Sequence, residues 1–224
     1  MYMNNTPKKP CPTYYDRFDL FESIAKDLYD SGYSIKPLGL PQALTISLQQ
    51  YADSMKAYEF DKAGVGREST FNVNRFIRTD SIHWINGNNE IERTWNQWLE
   101  AFKTHLNKSL FLGLFSFESH FAWYQKGQFY KRHYDAFQGE SNRKLSVVVY
   151  LNDDWQLTDG GELVLYKNEH DNQGIRILPR FATLVVFLSE EFPHEVLPSN
   201  RDRLSIAGWF RVNQSINGHI VPPE

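Results

Sequence analysis

The sequence predicts a mainly β fold: an antiparallel jelly roll, or double-stranded β-helix, flanked by about three α-helices toward the N-terminus. Two observations predict it. After Leu110 the 224-residue chain reads as eight short strands separated only by turn material, and before Leu110 three stretches carry apolar residues at helical spacing. Eight strands uninterrupted by helices need an architecture that folds two sheets over one core, which a jelly roll supplies.

In "RFDLFESIAKDLY", from Arg17 to about Tyr29, the apolar positions Phe18, Phe21, Ile24, Ala25 and Leu28 share a helical face. Gly32 ends that helix, and "DSGYSI" begins a short strand. Pro41 opens a second helix, "PQALTISLQQYADSMKAY", at a first-turn position where its missing N–H is not needed. The stretch 59–70, "EFDKAGVGREST", has Gly64 and Gly66 and little apolar content, so it reads as a mobile loop. A strand-like "FNVNRFIRTDSIHWI" follows. In "EIERTWNQWLEAFKTHLNKSL", Ile91, Trp95, Trp98, Leu99 and Phe102 form the apolar stripe of a third helix. The eight strands are "LFSFESHFAWYQ", "QFYKRHYDAF", "KLSVVVYLN", "GGELVLY", "GIRIL", "ATLVVFL", "HEVLP" and "RLSIAGWFRV", with turns such as "TDGG", "NEHDNQG" and "LPSNRD".

Composition narrows the classes of function. With 41% hydrophobic and 15% aromatic residues the chain is an ordinary globule, read as one domain over 15–213 with a flexible N-terminal arm at 1–14 and a tail at 214–224. It has no apolar run of about 18 residues, and the lysines of the arm are not followed by an apolar stretch. A cytoplasmic protein with no membrane association is expected. A net charge of -3 provides no basic field for nucleic acid. The single cysteine, Cys11, lies in the arm, so a metal would have to be held by histidine and carboxylate.

Residues i and i+2 of a strand face the same side, so His133 and Asp135 of "KRHYDAF" are expected to project together. In a chain with seven histidines that pair alone means little. His194 in "EEFPHEVLP" supplies a third donor. Two imidazoles and one carboxylate leave coordination positions open, which suits non-heme Fe(II) oxygen chemistry and also zinc. Arg203 bears on the choice. Alternation in "RLSIAGWF" puts Arg203, Ser205, Ala207 and Trp209 on one face and Leu204, Ile206 and Phe210 on the other. A guanidinium on an inner face requires a partner. That partner is either an internal carboxylate or, better matched to the position after His194, a bound dicarboxylate gripped through two parallel hydrogen bonds.

The ordered motifs "RTDSIHWI", "YQKGQFYKRHYD", "VVVYLNDDW", "DGGELVLY", "FPHEVLP" and "RLSIAGWF" resemble the 2-oxoglutarate- and Fe(II)-dependent oxygenases, specifically the prolyl hydroxylase branch. That branch includes the hypoxia-inducible-factor prolyl hydroxylases and their bacterial homologues; "AGVGR" and "LFLGL" look like the bacterial members. The resemblance spans roughly 15 to 213. It implies that His133, Asp135 and His194 ligate iron, that Arg203 and Tyr150 hold the distal carboxylate of 2-oxoglutarate, and that Tyr124 lies near its chelating end. Ser205 matches the Arg-x-Ser version of other branches and adds to cosubstrate binding. Tyr130, Arg143 and Trp209 would border a substrate proline, with Asp80 pairing with Arg143. Ala207 stands where the animal enzymes have threonine, so no oxygen-sensing role is inferred.

The same resemblance implies the cofactors Fe(II), 2-oxoglutarate and O2, with ascorbate as a reductant. The expected activity hydroxylates a prolyl residue of a protein, at C4, releasing succinate and CO2; elongation factor Tu is the partner suggested by the bacterial members. The 59–70 loop would serve as a lid over the peptide. Three alternatives stay open: the same chemistry on another residue or a small molecule, a zinc or manganese jelly-roll hydrolase or isomerase, and a binding module that retains only the fold.

Overall fold

The structure, a computed structural model, describes residues 17–55, 57–63, 77–136, 142–216 and 219–221. The arm with Cys11, and residues 64–70 of the expected lid, lie outside the described residues.

Helix α1 (Arg17–Ser31) buries Leu20, Phe21, Ile24, Ala25 and Leu28 and stops at Gly32, whose φ of 77° suits glycine. Phe18, expected on the buried face, is exposed and meets His105 edge-on instead. Helix α2 (Gln42–Ser54) is shorter than its apolar pattern predicts. Pro41 takes the N-cap rather than a place in the first turn, and Met55 turns extended to pack against the core. Helix α3 (Glu90–Leu110) begins at Asn89, whose side chain accepts the Glu92 amide, a cap worth about 1 kcal/mol. Trp95, Trp98, Leu99 and Phe102 are buried as the periodicity requires, while Ile91 is only half-buried. Among the described residues no helix is long and apolar enough to cross a membrane.

The strands are β1 (Tyr33–Lys36), β2 (Asp61–Lys62), β3 (Ser81–Trp84), β4 (Leu114–Tyr124), β5 (Tyr130–His133), β6 (Arg143–Tyr150), β7 (Leu163–Leu165), β8 (Ile175–Ile177), β9 (Leu184–Leu188), β10 (His194–Val196), β11 (Arg203–Val212), β12 (Gln214–Ile216) and β13 (His219–Val221). β2 falls in the stretch expected to be loop; it forms because its backbone pairs with the edge of β3. The tail holds the β12–β13 hairpin. The eight expected strands all appear and sort four and four. One sheet runs β1-β9-β6-β11-β4-β3-β2, the other β5-β10-β7-β8, every pair antiparallel.

Strand alternation explains why the large sheet carries two cores. Leu184 and Val186 of β9, with Phe121, Ile206 and Phe210, pack under the helices; Val185 and Phe187, with Ala122 and Tyr150, face the smaller sheet. That second, inter-sheet layer is where Arg203, Ser205 and Trp209 point. They share it with a cavity that opens between the sheets.

Candidate active site

Register brings the two histidines together. His194 opens β10 directly opposite His133, the last residue of β5, and their ring centroids are 4.3 Å apart. Asp135 departs from the expectation: it lies beyond the end of β5, in a bend, so it does not reach the site by strand alternation. It reaches the site all the same. Its Oδ1 is 3.6 Å from His133 Nε2 and its Oδ2 is 3.5 Å from His194 Nε2; the three ligand atoms lie within 4.8 Å of one another.

Each imidazole is oriented by the backbone. His133 Nδ1 donates to the Lys131 carbonyl at 2.8 Å and His194 Nδ1 to the Phe192 carbonyl at 3.1 Å, which leaves both Nε2 lone pairs facing Asp135. Burial pushes the His194 imidazole down to about 4, so it is neutral at ordinary pH. Burial works to raise the Asp135 carboxyl, but His194 and His133, with Arg143 further off, hold it well below the usual carboxylate range. Two imidazole nitrogens and a carboxylate, turned toward one point with the other coordination sites open, fit a ferrous ion.

The cavity also fits a dicarboxylate. Arg203 is 2% exposed, with Nε donating to the Gly161 carbonyl at 3.0 Å and one terminal nitrogen to Ser205 Oγ at 3.2 Å. Among the described residues no carboxylate pairs with it, so the internal ion pair considered from the sequence does not form. Tyr124, its cross-strand partner, and Tyr150 flank the guanidinium at 4.9 and 5.0 Å. The Tyr150 hydroxyl is fully buried with no hydrogen bond of good geometry among the described residues; burial raises both phenols above their ordinary value, and the neighbouring Arg203 works against it at Tyr150. An orphaned hydroxyl beside an uncompensated guanidinium is what a cavity left by an anionic ligand looks like.

The wall toward solvent is aromatic. Tyr130 stacks on His133 with centroids 3.5 Å apart, and Trp209 lines the cavity with its indole N–H buried and unpartnered. Arg143 lies over the Trp209 ring at 3.6 Å. The expected Asp80–Arg143 pair is not present. Asp80 forms a bidentate pair with Arg78 at 2.6 and 2.8 Å, because the two share a face of one extended stretch, and Arg143 bonds Glu118 across the sheet. Sequence reasoning passed over Arg78 and His120. Both line the cavity, and burial drives the His120 imidazole down to about 4. His120 was legible, since His120, Ala122 and Tyr124 alternate onto one face of β4.

A jelly roll whose inner layer sets two imidazoles and a carboxylate in front of a buried arginine defines a non-heme ferrous oxygenase that uses a keto-diacid. Comparison with known proteins agrees. The 2OG-Fe(II) oxygenase superfamily profile matches residues 119–211. A prolyl-4-hydroxylase from Pseudomonas putida, known as a crystal structure, is 36% identical and superposes with a TM-score of 0.76, covering 87% of this chain and 100% of that one. A Trichoplax adhaerens prolyl hydroxylase, solved with a hypoxia-inducible-factor peptide fragment, is 27% identical with a TM-score of 0.77, covering 87% of this chain and 90% of that one. A prolyl 3-hydroxylase of Xenopus laevis is 35% identical over 86 residues, which span 35% of this chain but only 16% of that longer protein.

The chain therefore belongs to the 2-oxoglutarate/Fe(II) oxygenase superfamily, in its prolyl hydroxylase branch. Iron(II), 2-oxoglutarate and dioxygen are its cofactors and cosubstrates.

Proposed function

We propose that this protein hydroxylates a prolyl residue of a protein substrate, at C4 of the ring. The observation that carries the reading is the buried Arg203, unpaired with any carboxylate among the described residues, beside the orphaned Tyr150 hydroxyl and in the same cavity as the histidine–aspartate cluster. The full-length likeness to a bacterial prolyl-4-hydroxylase supports the choice of substrate and ring position.

His133, Asp135 and His194 hold the metal, with the Lys131 and Phe192 carbonyls fixing both rings. Arg203 and Tyr150 grip the far carboxylate of 2-oxoglutarate, Ser205 keeps the guanidinium in plane, and Tyr124 closes the other side. When bound, ferrous iron and 2-oxoglutarate together supply the oxidising power, with one oxygen of O2 entering succinate as CO2 leaves and the other entering the substrate C–H as hydroxyl. The site walls exclude water from that event. Tyr130 and Trp209 offer flat faces to a pyrrolidine ring, and the free Trp209 N–H offers a donor to a peptide carbonyl. Arg143, held by Glu118, supports Trp209 from behind. Asp80 fixes Arg78 in the cavity wall. Ascorbate serves as reductant, and the protein works in the cytoplasm.

The test has two stages. Oxygen-free protein given Fe(II) and 2-oxoglutarate should develop a visible metal-to-ligand charge-transfer band, and no colour defeats the cofactor assignment. With oxygen, proteome-wide mass spectrometry should show a proline that gains one oxygen only when the gene is intact. Elongation factor Tu is the first candidate to assay. A gain at a non-prolyl residue would keep the oxygenase and replace the substrate.

A further inference from the structure

We infer that Ser146, backed by Ser189, is the positioning residue that sets how Asp135 presents itself to the metal. Resting as it does on the reading of Asp135 as a ligand, the inference adds what makes that ligand dependable. Asp135 lies in a bend beyond β5, where no ladder hydrogen bond fixes it. Ser146 does. Its Oγ is 2.6 Å from Asp135 Oδ2 and 2.9 Å from Ser189 Oγ. Both serines are buried, at 1% and 0% exposure.

The direction of this chain follows from the donors available. An ionised carboxylate only accepts, so the single Ser146 proton goes to Asp135, and Ser189 must donate to Ser146. The anchor is stiff: Ser146 sits mid-strand in β6 with Trp209 of β11 on one side and Phe187 of β9 on the other, and the Ser189 amide is tied to the Lys144 carbonyl. The serine takes one lone pair of Oδ2, which also stands 3.5 Å from His194 Nε2, and so fixes the plane in which the carboxylate faces both imidazoles, with Oδ1 3.6 Å from His133 Nε2. A carboxylate that gives one oxygen takes one position and leaves the others to the keto-diacid and to dioxygen. Without Ser146 the carboxylate can pivot and compete for them.

A buried serine bonded to its nearest acceptor is also an ordinary packing feature, so the test must read the metal itself. Full-length wild type, Ser146→Ala, Ser146→Thr and Ser189→Ala are titrated without oxygen. Fe(II) with saturating 2-oxoglutarate is followed by the charge-transfer band, and Co(II) alone by its visible d–d absorption; metal-free melting temperatures are recorded in parallel. Ser146→Ala should weaken both metals about 10- to 100-fold, the range for losing a group that orients a ligand, and should alter the Co(II) spectrum while the metal-free protein still melts cooperatively, at a somewhat lower temperature. Ser146→Thr should restore affinity, and Ser189→Ala should fall between. Wild-type affinity and spectrum in Ser146→Ala overturn the inference. If Ser146→Ala does not fold, Ser189→Ala decides: several-fold weaker metal binding supports the inference and unchanged binding overturns it. A wild type without a charge-transfer band would defeat the oxygenase reading instead, and the Co(II) titrations would still judge Ser146.

Discussion

The Arg203 guanidinium stands 5.0 Å from the centre of the Tyr150 ring, and the Tyr150 hydroxyl makes no well-formed hydrogen bond among the described residues. The fold thus holds a cation and a donor in an apolar layer with no anion among the described residues to satisfy either, an arrangement that costs stability until a carboxylate arrives.

Replacing Arg203 by Ala should therefore weaken 2-oxoglutarate by roughly 1.5 to 3 kcal/mol, the range for hydrogen bonds to a charged group. Anaerobic titration with the charge-transfer band measures it. Metal affinity without the cosubstrate should not change, since Arg203 bonds Gly161 and Ser205 rather than the histidine–aspartate cluster. Unchanged cosubstrate affinity would remove Arg203 from the site.

Tyr150→Phe separates binding from stability. Deleting a hydroxyl that makes no well-formed hydrogen bond among the described residues should leave the metal-free protein about as stable, while 2-oxoglutarate loses about 0.5 to 1.5 kcal/mol. Thermal melts with and without 2-oxoglutarate show both effects. A large loss in the free protein would mean that the hydroxyl has a structural partner.

Gly161 supports Arg203 through its carbonyl, at a φ of 70° with Ser199 Cβ only 2.8 Å from where a Cβ would stand. Gly161→Ala should destabilise the fold by about 1 to 2 kcal/mol from backbone strain alone, and cosubstrate affinity should fall with it. Chemical denaturation checks the first and titration the second.

Trp209 lines the cavity beside the proposed proline site. Trp209→Ala should reduce peptide hydroxylation more than peptide-independent decay of 2-oxoglutarate. Measuring succinate formed with and without peptide gives the ratio; equal losses would assign Trp209 to packing.

Glu92 predicts a pH dependence remote from the site. Burial alone would raise this carboxyl, but the amides of Asn86, Gly87 and Asn88 and the Tyr51 hydroxyl bond its oxygens and hold it below the ordinary glutamate value. Because its folded value is depressed, its contribution is complete above the unfolded value of about 4.3 and is lost as pH falls through the folded one. Glu92→Gln should cost roughly 1 to 3 kcal/mol at neutral pH, and the gap to wild type should narrow progressively below pH of about 4. Denaturation curves across that range test it; a gap that does not depend on pH would mean that Glu92 acts by shape alone.

Much of this protein was legible from residue spacing, because helix and strand periodicities are properties of the backbone itself. The stripe Trp95, Trp98, Leu99 and Phe102 marked α3, and the alternation in "RLSIAGWF" placed Arg203, Ser205 and Trp209 on the layer where the structure has them. The expectations erred where the folded neighbourhood decided the pairing. The resemblance paired Asp80 with Arg143, but Asp80 bonds Arg78 two residues away, and Arg143 reaches Glu118 of β4 across the intervening β11. The β2 strand has no signature of its own and exists because β3 presents an edge.

What the sequence alone determined is the set of parts: three donors of the right type, an arginine on an inner face, and enough alternating strands for two sheets. Only the tertiary structure decided that they converge. The register of β10 against β5 puts His194 opposite His133, a bend and the buried Ser146 hydroxyl bring Asp135 to them, and closure of the sheets leaves Arg203 without a carboxylate among the described residues. Spacing along a chain encodes which face a side chain takes, whereas what it meets there depends on contacts between residues far apart in sequence, which form only when the sheets close.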